Sequence, residues 1–129
     1  MQLLLDTHVL IWLVTAPDRL STAATNALTA ATAEVYASQV SLWEMAIKRR
    51  AGKLDVLDRD ALAWFDNYVP ASNLRILSIS PRHLGAVEQL PDLHRDPFDR
   101  LLITQASHEG HRIVTADHRI TQYHIPTLW

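Results

Sequence analysis

Short apolar runs alternate with segments of helical periodicity along the whole chain. This constrains the fold more than any other feature, because strand–helix alternation builds a parallel sheet covered on both faces. Leu3-Leu4-Leu5 predicts a buried strand ending at Asp6. Val9 to Val14 predicts a helix, closed by Ala16-Pro17-Asp18. Ser21 predicts the N-cap of a helix carrying Ala24, Leu28 and Ala31 at helical spacing. Val35 to Ser38 reads as a second strand, and Ser41 to Ala51 as a helix that Gly52 ends. Asp60 to Tyr68 is a further helix, with Leu62, Phe65 and Val69 on one face and Pro70 as its stop. Arg75 to Ile79 predicts a strand, and Pro81 opens a helix that ends before Pro91. Asp96-Pro97 opens the clearest helix, with Phe98, Leu101, Leu102, Gln105 and Ala106 on one face and Gly110 at its close. Ile113-Val114-Thr115 is a strand, and Asp117 starts a short helical turn. Ile125-Pro126-Thr127 predicts an edge strand, because Pro cannot donate to a central ladder. No linker divides the chain, so residues 1–129 are expected to form one α/β domain.

Composition narrows the function classes. Apolar residues make up 48%, too many for a wholly disordered chain. The absence of Cys excludes disulfide scaffolds, thiol nucleophiles and thiolate zinc sites, and fits a cytoplasmic protein. With only three Gly, the glycine-rich phosphate loops GxGxxG and GxxxxGK are both missing. The longest apolar stretch, Leu3 to Val14, is interrupted by Asp6, Thr7 and His8. It is too short for a membrane span of ~20 residues, and it lacks the basic start and cleavage site of a signal peptide. The net charge is -2, so counterion release alone cannot drive nucleic-acid binding. Such contact has to come through a local basic patch or bound cations.

Four acids fall at equivalent places in the predicted fold. Asp6 and Asp117 follow strands, while Glu44 and Asp99 are expected in the first turns of helices. With right-handed crossovers, the strands of a parallel sheet end at one rim, where α/β proteins bind ligands. Each acid alone has a capping explanation. Ser41 and Glu44 fit a capping box; Asp96 fits an N-cap with Pro97 after it and Asp99 in the favourable first turn. Asp6 and Asp117 can cap the helices they precede. Together, however, four carboxylates at one rim repel one another and call for a cation, a hard divalent ion such as Mg²⁺ or Mn²⁺. Such a site activates water and stabilises charge on a phosphate under attack.

The remaining chemistry-bearing residues read as structural. Lys48 is four residues after Glu44 and suits a helix ion pair, and Arg49, Arg50 and Lys53 read as a solvated face. Arg100 adjoins Asp99. His94, His108, His111, His118 and His124 are irregularly spaced and form neither HxH nor HExxH, so no His-ligated metal site is expected. His8 faces either the site or the core. Trp12, Trp43 and Trp64 lie on apolar helical faces and predict core packing.

Four segments resemble the PIN domain: Leu4-Leu5-Asp6-Thr7-His8, Ser41-Leu42-Trp43-Glu44, Arg95-Asp96-Pro97-Phe98-Asp99-Arg100-Leu101-Leu102, and Val114-Thr115-Ala116-Asp117. The resemblance runs end to end and is closest to the VapC-type toxins of bacterial toxin–antitoxin pairs. It implies a three-layer α/β/α fold around a five-stranded parallel sheet, and an endoribonuclease dependent on Mg²⁺ or Mn²⁺. Its catalytic and metal-binding acids fall on Asp6, Glu44, Asp99 and Asp117. Thr115 matches a supporting hydroxyl, and Asp96 is an extra acid that supports the site or simply caps. The implied partners are an RNA substrate, a cognate antitoxin and a second copy of the chain. His8 stands where many relatives carry a small or polar residue.

Rival readings fit less well. A phosphatase with an aspartyl nucleophile at Asp6 needs a second acid two residues on, where this chain has His8. A phospho-receiver needs a Lys after a late strand, yet the last Lys is Lys53. A silent PIN-like binding module would keep its acids only as helix caps.

Overall fold

The computed structural model describes residues Met1–Trp129. Five strands form one sheet in the order β3-β2-β1-β4-β5. They are β1 (Gln2–Leu5), β2 (Glu34–Ser38), β3 (Arg75–Leu77), β4 (Arg112–Val114) and β5 (Thr127–Leu128). Every pairing is parallel, with Leu4 opposite Tyr36 on one side and Ile113 on the other. The expected five-stranded parallel sheet is therefore present. The C-terminal segment pairs at the edge as predicted, shifted one residue beyond Pro126, whose carbonyl accepts from Ile113 N–H at 3.0 Å.

The helices are α1 (Thr7–Thr15), α2 (Thr22–Thr29), α3 (Gln39–Arg50), α4 (Ala61–Ala71), α5 (Pro81–Ala86), α6 (Pro97–Glu109) and α7 (His118–Thr121). None is long and apolar enough to cross a membrane. Strand side chains alternate between faces, and the core divides accordingly. Leu3, Leu5, Val35 and Val114 pack with Val9, Leu10, Ala24, Trp64 and Phe65 of α1, α2 and α4. Leu4 and Ile113 pack with Leu101, Leu102, Ile103 and Ile120 of α6 and α7. The helix α3 touches α1, α4 and α6 and spans the two layers at the strand ends.

Local chemistry sets the helix boundaries, and two of these and one helix face differ from expectation. Ser38, not Ser41, caps α3: its Oγ accepts from Val40 N–H at 2.9 Å and donates to Gln105 Oε1 at 2.5 Å. Glu44 therefore stands in the second turn, outside any capping box. The buried Ser41 Oγ instead pairs with Thr7 Oγ1 at 2.8 Å, tying α1 to α3. Pro70 does not stop α4, which runs to Ala71. Leu62 is 57% exposed, and the apolar face of α4 is Ala61, Trp64, Phe65 and Val69. The caps at Ser21, Asp60 and Asp96, and the left-handed Gly110 that closes α6, stand as predicted or one residue away.

Ser38→Ala is expected to cost about 1–3 kcal/mol, because it removes a cap and leaves Gln105 Oε1 buried without a donor. Urea unfolding at fixed pH measures this; a loss within error would place the helix start elsewhere.

Candidate active site

The sheet order puts β1 at the centre, so the residue after it sits in the middle of the C-terminal rim. That residue is Asp6, 4% exposed. It occupies the N-cap position of α1, yet its side chain makes no capping hydrogen bond. Its Oδ2 instead accepts from Thr115 Oγ1 at 2.7 Å. The same hydroxyl accepts from Asp117 N–H at 3.0 Å. Thr115 thus links the acids that follow the two adjacent strands β1 and β4. Burial pushes the Asp6 carboxyl above its ordinary range, the Thr115 hydrogen bond opposes this, and Glu44 and Asp117 add repulsion.

Glu44 reaches the rim from α3 and is buried. One oxygen pairs with Lys48 one turn later, the helix pair expected from the spacing. The other, Oε1, is buried without any hydrogen-bond partner. Asp99 reaches the rim from the first turn of α6. Burial is the main cause that raises its carboxyl to about 8, and Asp6, Asp96, Glu44 and Asp117 add repulsion. Asp117 caps α7 through Arg119 N–H and is gripped by the Arg119 guanidinium at 2.9 and 3.1 Å, which holds its carboxyl below the ordinary range. Asp96 is a cap: its Oδ1 accepts from Phe98 N–H and Asp99 N–H.

The capping explanation therefore separates the acids. It accounts for Asp96 fully and for Asp117 in part. It does not account for the side chains of Asp6 and Glu44.

The sequence reading missed one residue. His94 is buried, and its Nε2 lies 2.7 Å from Asp99 Oδ2. Ligand atoms of His94, Asp99 and Asp117 all lie within 4.8 Å of one another. Irregular spacing gave no sign that a His would meet the acids; burial and tertiary placement bring His94 there. One signal was available: His94 lies just ahead of the Asp96-Pro97 helix start, on the approach to the same rim.

Two clefts flank the acids and share the exposed His8, which faces the site and not the core. One, of about 280 Å³, is lined by Asp6, Val9, Trp12 and Asp117. The other, of about 270 Å³, is lined by Thr7, Glu44, Lys48 and Lys53. Arg49 and Arg50 are exposed, in keeping with a solvated face. Arg100 does not face a ligand, because its guanidinium donates to backbone carbonyls. Among the tryptophans, only Trp64 is fully buried. Trp43 is 46% exposed and packs edge-on against Phe98 at 4.6 Å, which corrects its core assignment. Trp12 is half-buried between His8 and Trp129, each at 6.0 Å.

The donor set suits a hard divalent cation. It offers carboxylate oxygens and no thiolate, and one of those oxygens is buried with nothing to satisfy it.

Comparison with known proteins gives a consistent picture. The profile of the PIN domain family matches residues 3–125. Ribonuclease VapC22 of Mycobacterium tuberculosis is 32% identical over 130 residues, covering 98% of this chain and 97% of that protein. Among solved structures, VapBC2 from Rickettsia felis bound to a promoter DNA fragment superposes with a TM-score of 0.71 at 17% identity, covering 98% of this chain and 97% of that one. DNA-bound VapBC from Salmonella typhimurium gives 0.64 at 17% identity, with 98% and 96% covered.

Proposed function

Because the chain belongs to the PIN domain family, we propose that it is a divalent-metal-dependent endoribonuclease acting as the toxin of a toxin–antitoxin pair. The observation that carries this reading is a crowded carboxylate rim with one buried oxygen left unsatisfied. Asp6, Glu44, Asp99 and Asp117 share one field, and Glu44 Oε1 is buried with no donor. A fold keeps such an arrangement where an external cation balances it.

Asp6, Glu44, Asp99 and Asp117 would hold Mg²⁺ or Mn²⁺, and a cation bound there would supply a lowered pKa for water and charge to offset the phosphodiester. Thr115 orients Asp6 by donating to Oδ2, which leaves Oδ1 free. Lys48 holds one Glu44 oxygen in place through the ion pair one turn along α3. Lys48 and Lys53, on the wall of the adjoining cleft, supply positive charge for an RNA backbone that an acidic rim would otherwise repel. Asp96 caps the helix that delivers Asp99.

The 32% identical relative carries the name ribonuclease, and the two structural neighbours are toxin–antitoxin complexes. The first supports an RNA substrate for this chain and the second an antitoxin partner; a homodimer working in the cytoplasm is part of the same proposal. A silent module using its acids as caps is the weaker reading, because Asp6 and Glu44 do not cap.

The deciding experiment incubates the purified protein with several single-stranded RNAs in Mg²⁺ or Mn²⁺, and in excess EDTA. Cleavage is expected with either metal and none in EDTA. Cleavage that persists in EDTA would overturn the metal dependence, and no cleavage of any RNA with metal would overturn the enzyme reading.

A further inference from the structure

His94 is the buried group that the acids alone do not explain. Its Nε2 lies 2.7 Å from Asp99 Oδ2, and its side chain is 4% exposed. On the other side of the ring, Asp96 N–H points at Nδ1 at 3.5 Å. A backbone N–H can only donate, so Nδ1 accepts and the ring proton sits on Nε2. That nitrogen donates to Asp99 and has no lone pair left for a cation.

The segment that carries His94 has neither helix nor strand between the turn at Val87–Gln89 and α6. Two side chains fix it instead. The Arg100 guanidinium donates to the carbonyls of Val87 and Leu90 at 3.3 Å, Pro91 at 2.9 Å and His94 at 3.4 Å. It also donates to Tyr123 Oη at 3.1 Å, and that oxygen accepts from His94 N–H at 2.8 Å. The planar fork of Arg suits a cage of carbonyls that Lys cannot span.

We propose that His94 is a positioning residue for Asp99 and not a metal ligand: its Nε2–H holds Oδ2, which turns Oδ1 to the cation, while Arg100 and Tyr123 hold the segment that carries His94. This rests on the reading of the rim as a metal site. Partners that orient a ligand in this way matter to affinity nearly as much as the ligands do, typically by ~10–100-fold.

Mn²⁺ binding, measured by calorimetry and by pulsed EPR, separates the possibilities without any need for turnover. His94→Phe keeps a flat ring and loses the donor, and Mn²⁺ affinity is expected to fall ~10–100-fold. His94→Gln places an amide N–H₂ near the Nε2 position and should keep most of the affinity. Tyr123→Phe loosens the segment and should fall between the two. The nitrogen modulation of bound Mn²⁺ should be the same in wild type and His94→Gln. A coordinated imidazole nitrogen present in wild type and lost in both His94 variants would make His94 a ligand and overturn the proposal. Equal affinity in all four proteins would overturn it too. Wild type that takes up no Mn²⁺ would fail the metal-site reading itself, and the positioning role with it. If His94→Phe does not fold by circular dichroism, the Gln and Tyr123 variants still decide.

Discussion

Asp99→Asn is expected to lower RNA cleavage by a factor of about a thousand or more and, in metal-free buffer, to make the protein more stable. The first effect follows if Asp99 is a metal ligand, since Asn lacks the charge that attracts the cation. The second follows from the carboxyl held at about 8 in the fold, against an ordinary value of 3.8. Between those pH values the folded chain binds a proton that the unfolded chain has released. Stability of the wild type therefore falls as pH rises from about 4 through about 8. The Asn variant carries no such proton, so its stability should be flatter across that window. The two proteins should converge near pH 4 and differ most near pH 8.5, by about 1–3 kcal/mol, since neighbouring carboxylates share the repulsion. Thermal melts in EDTA across this range, paired with an RNA assay, give both readouts. If Asp99 only favours the helix start, Asn should instead cost a few tenths to about 1 kcal/mol and leave cleavage intact.

Expression in a bacterial host without antitoxin should arrest growth for the wild type, while Asp6→Ala should restore colony formation by orders of magnitude. Asp6 sits at the centre of the rim, has no capping duty, and is aimed by Thr115. Its loss removes the central oxygen donor, and because its buried charge is disfavoured, little stability should go with it. A soluble, normally melting Asp6→Ala that stays as toxic as wild type would show that the acids do not carry the function. The same host tests the antitoxin. The two-point grip of Arg119 on Asp117 shows how a guanidinium is received here. A co-expressed antitoxin is expected to place an Arg or Lys among Asp6, Glu44, Asp99 and Asp117 and restore growth. Its remaining contacts should be apolar, near the half-buried Trp12 and the exposed Trp43. Mutating the inserted residue should weaken inhibition more than binding.

The sheet and its acid rim were legible in the sequence for one physical reason. Short apolar runs ending in Asp mark strand ends, and parallel strands bring those ends together whatever the loops do. Helix faces were less legible. Trp43 has helical spacing, but its partner is Phe98, fixed only once α6 lies beside α3, and the pair stays open to solvent. Leu62 fits the apolar period of α4, yet the face that meets the sheet is set by Trp64 and Phe65. Ser38 and Ser41 both suit a cap, and only the backbone path decides between them. His94 was missed because its meaning lies in what surrounds it: an acid five residues on, and an Arg–Tyr clasp drawn from two other elements.

The hydrogen bond from Thr115 to Asp6 joins residues 109 positions apart, and β4 completes the central pairing long after β1 has been synthesised. On the ribosome, the order of synthesis therefore sets when the rim can assemble. A chain still missing its last quarter has Asp6 and Glu44 but neither Thr115 nor Asp117, and its first strand lacks a neighbour on one side. Contacts this distant in sequence form only after the chain between them exists. The nascent polypeptide thus emerges without a finished acid rim, which closes only once its C-terminal strands are free to dock.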